Sequence, residues 1–248
     1  MCLILFAWRS HPQHKLLVAA NRDEFYSRPA TAAHFWQESP HILAGRDAEK
    51  GGTWLGVTRR GRFAAVTNVR KPGSPTGNLS RGKLVQAFLD SNASPAEFLQ
   101  QIQLSLPDYS PFNLLICDGE QLHYINNDGD TRKLQPGLYG LSNAALDTPW
   151  PKVVNGKQQL FSLIMQQTDS ELLFELLAGQ EQADDEELPD TGIDMVLEKK
   201  LSARFIHMDG YGTRCSTVLM QSHDNHTRLW ERQFGQDGQA LNTIYHAL

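Results

Sequence analysis

The 248-residue chain carries a net charge of −5, with 21% charged and 40% hydrophobic residues, an ordinary balance for a globular protein that buries a sizeable core. It shows no electrostatic footprint for nucleic acid, and no apolar run approaches the roughly 18 residues of a transmembrane segment. Cys2, Cys117 and Cys215 lie too far apart for a disulfide framework or a CxxC site, so the expectation is a cytoplasmic protein with no metal and no cofactor.

The chain opens with two apolar runs, Cys2 to Trp8 and Leu16 to Ala20, joined by the polar turn Arg9 to His14, which reads as a β-hairpin. The second run ends in Asn21-Arg22-Asp23-Glu24, and antiparallel pairing returns that cluster beside Cys2. Residues 25 to 50, broken by Pro29 and Pro40, have no clear period and are expected as a long irregular excursion. Strands follow at Thr53 to Thr58 and Arg62 to Asn68, then a turn-rich loop from Val69 to Leu79. Ser80 and Ser94 are placed to cap helices over Arg81 to Asp90 and Pro95 to Leu104. Strands return at Asn113 to Asp118, Gln121 to Asn126 and Leu138 to Asn143. Two more helices follow over Pro151 to Gln167 and Ser170 to Ala178, then an acidic loop over Gly179 to Asp190. Ser216 to Gln221 and Thr227 to Phe234 form a closing hairpin, whose turn explains the HxxH spacing of His223 and His226 better than zinc does. Hairpin-linked strands alternating with helical blocks predict an α+β chain, residues 1–248 as one domain, with antiparallel sheets covered by helices.

Cys2 by itself reads first as a small buried hydrophobe in an apolar strand. Its place directly behind Met1 gives it a second reading. Removal of Met1 would leave thiol and α-amine on one residue, and an amine with a pKa of about 7.7 to 8.0 can serve as base to the nucleophile. A nearby Arg22 guanidinium is expected to favour the thiolate, and the Asp23 carboxylate to orient the amine.

An initial Met-Cys with Asn21-Arg22-Asp23-Glu24 resembles the NRDE family, also called the transport and Golgi organisation family. The resemblance extends through Gly51 to Gly56 (GGTWLG), Thr67-Asn68, Ser80-Arg81-Gly82, Phe112 to Leu115 (FNLL), Gly140 to Asn143 (GLSN) and Tyr211 to Arg214 (YGTR) with Ser216-Thr217. That family is similar in turn to N-terminal nucleophile hydrolases of the penicillin V acylase and bile-salt hydrolase type. The resemblance implies a four-layer αββα sandwich and a site built from Cys2, Arg22, Asp23, Asn68, Asn143 and Arg214. One of the two asparagines would serve an oxyanion hole and the other would hold the amine. Arg22 and Asp23 are adjacent here and separated in that hydrolase group. Neighbouring strand residues point opposite ways, which makes Arg22 the less secure of the two.

Two functions follow as expectations. The first is a cysteine amidohydrolase or acyltransferase that forms a Cys2 acyl-enzyme with a small linear amide or thioester. The second is a non-catalytic binding or trafficking protein that uses the same pocket for haem, an acyl-lipid or acyl-CoA. For haem, His34, His41, His123 and His207 show no axial-pair pattern. Arg70 and Lys71 are candidate contacts to an anionic substrate group, with solvation as the plainer reading.

Overall fold

The computed structural model describes residues 2–166 and 168–248. In chain order, β1 (Cys2–Trp8) and β2 (His14–Phe25) form the opening hairpin, and β3 (Ala30–Phe35), β4 (Ile42–Asp47), β5 (Leu55–Thr58) and β6 (Phe63–Asn68) run on as a meander. Helices α1 (Arg81–Asp90) and α2 (Pro95–Ile102) precede β7 (Phe112–Cys117), β8 (Leu122–Asn126), β9 (Thr131–Lys133) and β10 (Gly137–Leu141). Helices α3 (Pro151–Met165), α4 (Ser170–Leu177) and α5 (Met195–Leu201) lead to β11 (His207–Met208), β12 (Tyr211–Ser222), β13 (Thr227–Phe234) and β14 (Ala240–Ala247).

Two antiparallel sheets result. One has the order β10-β1-β2-β12-β13-β14, with β11 beside β12, and the other runs β3-β4-β5-β6-β7-β8-β9. Alternation along the opening hairpin sorts its side chains into two cores. Ile4, Phe6, Trp8, Leu16, Val18 and Ala20 face the second sheet, where they meet Leu43, Val57, Phe63, Leu115 and Tyr124. Leu3, Leu5, Ala7, Leu17 and Ala19 face α3 and α4 through Val153, Leu160, Leu173 and Leu177. A third core joins α1 and α2 to the outer face of the second sheet through Leu84, Val85, Phe88 and Phe98. The layers are therefore helix, sheet, sheet, helix, the αββα sandwich that was expected.

Residues 25–50 are corrected from an irregular excursion to two paired strands, β3 and β4. Pro29 sits just before β3 and Pro40 in the turn between the strands, so each proline marks an end, where its missing N–H costs no ladder bond. The exposed strands β9 and β14 and the helix α5 were not anticipated, because their mostly exposed residues leave little hydrophobic period to read. Expected strand 138–143 runs instead from Gly137 to Leu141, leaving Ser142 and Asn143 beyond the sheet. Ser94 makes the full capping box with Glu97, whereas the Ser80 side chain makes no cap bond to α1. The α3 reading ended at Gln167, and the removal of Met1 concerns residue 1; both lie outside the described residues.

The sheets are tied together by a buried carboxyl. Glu231 on β13 accepts from the Ala33 backbone N–H of β3 at 2.9 Å, and burial pushes its pKa up to about 7. The native state thus holds a proton that the unfolded chain has already lost above the ordinary carboxyl range, so this group lowers stability as pH rises. Unfolding free energy is expected to fall by roughly 3 kcal/mol between about pH 4.5 and pH 7 on its account. Glu231→Gln should remove that slope in urea titrations and raise stability at pH 8.

Candidate functional site

The register of the central strand β2 sets the site. Cys2 pairs directly with Arg22 across the opening hairpin, and Arg22 pairs with Cys215 on its other side. The ladder between β2 and β12 shifts between Thr213 and Cys215, leaving Arg214 as the extra residue of a bulge. Beyond the shift, Thr213 stands opposite Asp23. The pleat therefore gives Cys2 and Arg22 one face and Asp23 with Thr213 the other.

Arg22 is buried, with its guanidinium carbon 4.5 Å from the centre of the Trp54 ring, so it points between the sheets. Its nearest carboxylates are Asp47 at 3.7 Å and Glu24 at 4.0 Å, both beyond hydrogen-bond reach. Asp23 is equally buried, and its Oδ1 accepts the Thr213 hydroxyl at 2.7 Å. The sequence reading held Arg22 less secure than Asp23 as a residue facing Cys2. The structure gives Arg22 the cysteine's face, while Asp23 reaches the sulfur by its backbone N–H.

Burial pushes the Cys2 thiol above its ordinary pKa, and the Asp23 carboxylate adds to the rise against the pull of Arg22 and of the Asp23 N–H. Desolvation thus works against the expected thiolate more strongly than the guanidinium favours it. Burial likewise raises the Asp23 carboxyl, opposed by Lys152, by the Thr213 hydrogen bond and by Arg22. Cys117 and Cys215 are more deeply enclosed, with burial taking Cys117 to about 12 and Cys215 well above its usual value.

Cys2, Arg22, Asp23 and Asn68 line one cavity of about 310 Å³, together with Glu24, Arg28, Asp47, Lys50, Trp54, Leu79, Ser80 and Arg81. Asn143 and Arg214 do not line it. Asn143 is buried behind it and donates from Nδ2 to the Asn68 carbonyl at 2.8 Å, so it fixes the end of β6. Its neighbour Ser142 donates to the Cys2 carbonyl at 3.0 Å, which ties the residue after β10 to the backbone of Cys2. Arg214 donates from Nη1 to the carbonyls of Phe25, Tyr26 and Arg28 at 2.9, 3.3 and 2.9 Å. It thereby clamps the turn that delivers Arg28 to the cavity wall.

Several residues with a place here carried no signal of their own in the sequence. Thr213 holds Asp23. Lys152 on α3 is buried, donates to the Leu201 carbonyl at 2.9 Å and is pushed down to about 8 by burial, with Asp23 opposing. Arg81 and Trp54 lay inside the SRG and GGTWLG motifs, and the reading assigned neither to the site. Gly52 and Gly82 explain part of that pattern. A Cβ on Gly52 would stand 2.5 Å from the Gly82 carbonyl carbon, so only glycine lets the start of α1 close onto the cavity wall. Arg70 is engaged by Glu198 and by Thr191, and Lys71 by Asp128 at 3.2 Å, which leaves neither facing the cavity. None of the chain's nine histidines lines the cavity.

Residues 1–236 match the family model described as Transport and Golgi organisation 2. The chain is 36% identical to the Transport and Golgi organization protein 2 homolog of Bos taurus, over 99% of this chain and 98% of that one. It is also 36% identical to the Homo sapiens homolog, over 94% and 92%. Among solved structures, a mutant conjugated bile acid hydrolase from Clostridium perfringens aligns with a TM-score of 0.55 at 9% identity, over 98% of this chain and 92% of that one. An N-acylethanolamine-hydrolyzing acid amidase ortholog from Caenorhabditis elegans aligns at 0.52 and 11% identity, over 88% and 92%. At such identities the likeness is one of fold, the sandwich of the N-terminal nucleophile hydrolases.

Arg214→Ala is expected to cost about 2 kcal/mol of stability through three lost carbonyl contacts. Amide exchange should accelerate in residues 25–28. An arginine acting only on substrate would change turnover and leave that exchange as it was.

Proposed function

The chain belongs to the Transport and Golgi organisation 2 family, and we propose that it is a cysteine amidohydrolase or acyltransferase working through a Cys2 acyl-enzyme. The observation that carries this reading is the cross-strand pair of Cys2 and Arg22 lining a polar cavity, in a fold shared with N-terminal nucleophile hydrolases. A structural cysteine needs neither a buried, loosely paired arginine opposite it nor an open cavity beside it. The cavity's volume lies at the lower end for small-molecule sites, which fits a small linear amide or thioester. It supplies no histidine to a haem iron.

In the sequence Met1 precedes Cys2, so the Cys2 nitrogen is an amide until Met1 is removed. In the processed protein, the neutral α-amine takes the thiol proton as sulfur attacks the carbonyl carbon of the substrate. A thiol that rests protonated suits this step, because the proton leaves only as the bond to carbon forms. Asn68, at the cavity wall, would donate to the developing oxyanion, and Asn143 holds Asn68 by its carbonyl. The tetrahedral intermediate collapses when the ammonium returns its proton to the leaving nitrogen or sulfur. The product is a Cys2 thioester and a free amine or thiol. Water, or an acceptor amine or alcohol, then attacks the thioester, passes a proton to the α-amine and regenerates the Cys2 thiol. Asp23 positions this cycle from the opposite face, through its backbone N–H on sulfur and its carboxyl beside Thr213.

Purified active protein should begin at Cys2 by intact mass, and a slow amide or thioester substrate should add its acyl mass to the Cys2 peptide. Cys2→Ala should keep its fold, lose turnover and lose the adduct; unchanged function would leave a binding protein in a hydrolase fold. Asp23→Asn should depress kcat by about 10² or more with a much smaller loss of stability. With its pKa raised, Cys2 should react slowly with iodoacetamide at pH 7 and faster as pH rises, ahead of Cys117 and Cys215 throughout.

A further inference from the structure

Most charged groups at the cavity wall are matched. Arg28 binds Asp47 at 2.6 Å and has Glu24 at 3.8 Å, while the Asp23 carboxyl takes the Thr213 hydroxyl and is driven toward its neutral form by burial. Arg81 differs. It is the first residue of α1, lines the cavity and donates from Nη1 to the Pro111 carbonyl at 3.0 Å. No ion pair among the described residues includes it or Lys50, which lines the same cavity. Burial depresses the Arg81 pKa, so the protein pays for an enclosed cation that it does not neutralise.

Two further observations converge on this corner. The ten-residue helix α1 has no acidic residue in its first turn and no side-chain cap, and its start at Ser80 to Gly82 faces the cavity. The positive end of the helix therefore adds to the guanidinium instead of being cancelled by a cap. The guanidinium of Arg22, buried and lining the cavity, makes no hydrogen bond among the described residues and stands 3.7 Å from Asp47 and 4.0 Å from Glu24. In a chain of net charge −5, four cationic residues, Arg22, Arg28, Lys50 and Arg81, line this cavity, and of the acids lining it Asp47 is bound by Arg28 at 2.6 Å and the Asp23 carboxyl by Thr213.

We propose that Arg81, the first turn of α1 and Lys50, backed by Arg22, form a subsite for an oxyanion on the substrate, either a carboxylate or a phosphate. The molecule processed at Cys2 is then an anionic amide or thioester. This rests on the acyl-enzyme reading for its chemistry, but the subsite is testable without turnover. A guanidinium beside helix N–H groups holds an oxyanion in a way that discriminates strongly against a neutral isostere.

The test compares N-butanoylglycine with N-butanoylglycinamide, and S-butanoyl-phosphopantetheine with S-butanoylpantetheine. Wild-type protein should favour the anionic member of one pair by about tenfold or more in kcat/KM, through KM, with the preference shrinking as salt is raised. The pair that shows it identifies carboxylate or phosphate. Arg81→Gln should bring the ratio toward one and Arg81→Lys should restore much of it. If Arg81→Gln unfolds, Lys50→Gln and the wild-type salt dependence read the same quantity. Calorimetry on Cys2→Ala protein should show the same preference in binding. Binding preference without turnover would keep the subsite and remove the hydrolase reading. Turnover without preference would remove the subsite alone, and neither preference nor turnover would remove both.

Discussion

The site depends on one constraint, the register of β2 between β1 and β12. A strand repeats every two residues, so sliding β1 by one place would set Cys2 opposite Asp23 and turn every apolar side chain of the hairpin to the wrong core. Two cores forbid that slip. Val18 and Ala20 are held between the sheets and Leu17 and Ala19 against the helices, so the register is locked along the whole run before the charged residues begin. Cys2 faces Arg22 because five apolar residues upstream have nowhere else to go. The bulge at Arg214 completes the arrangement from the other side. It restores the match of Thr213 to Asp23 and frees Arg214 to hold the turn after β2.

Electrostatics at the end of that strand follow from enclosure more than from pairing. A thiol, a carboxyl and two guanidiniums sit where the intersheet core gives way to a cavity, and burial is the leading influence on Cys2, Asp23 and Arg81 alike. Desolvation acts against whichever form is charged. It therefore favours the thiol at Cys2 and weakens the Asp23 carboxylate, while leaving the arginines, whose ordinary pKa is far above neutrality, charged. The result is an enclosed thiol and a weakened Asp23 carboxylate beside fixed cations. Charge that develops on a substrate oxygen would meet positive partners already in place, which is the preorganisation that acyl transfer uses.

Much of this was legible in the sequence, and the illegible parts share a cause. Hairpin alternation placed Cys2 beside the Asn21 to Glu24 cluster, and the block order of strands and helices gave the layers. What sequence could not supply was which face each charged residue took. The strand period separates Arg22 from Asp23, but only the contacts of Trp54 and Thr213 say which of them lies with the sulfur. Arg214 and Asn143 read as members of the site because they belong to its motifs, yet both act through backbone carbonyls and stand outside the cavity. Residues 25–50 misled because their prolines were taken to break structure when they punctuate it. Arg81 escaped notice because its partner is a helix terminus and a cavity, neither of which has a residue pattern of its own.

Glycine explains why distant motifs share one site. The contact of Gly52 with Gly82 brings a loop of the second sheet against the start of α1 with no side chain between them. The loop carries Trp54, which stacks on Arg22, and the helix start carries Arg81. One close backbone approach thus sets the distance between the two guanidiniums that flank Cys2. Arg22 is fixed by the pairing of β2, and Arg81 by a contact that β2 takes no part in. A change at the α1 end can therefore leave the register that holds Cys2 undisturbed. On the acyl-enzyme reading, the geometry at Cys2 and the proposed oxyanion subsite are thus fixed by separate backbone contacts.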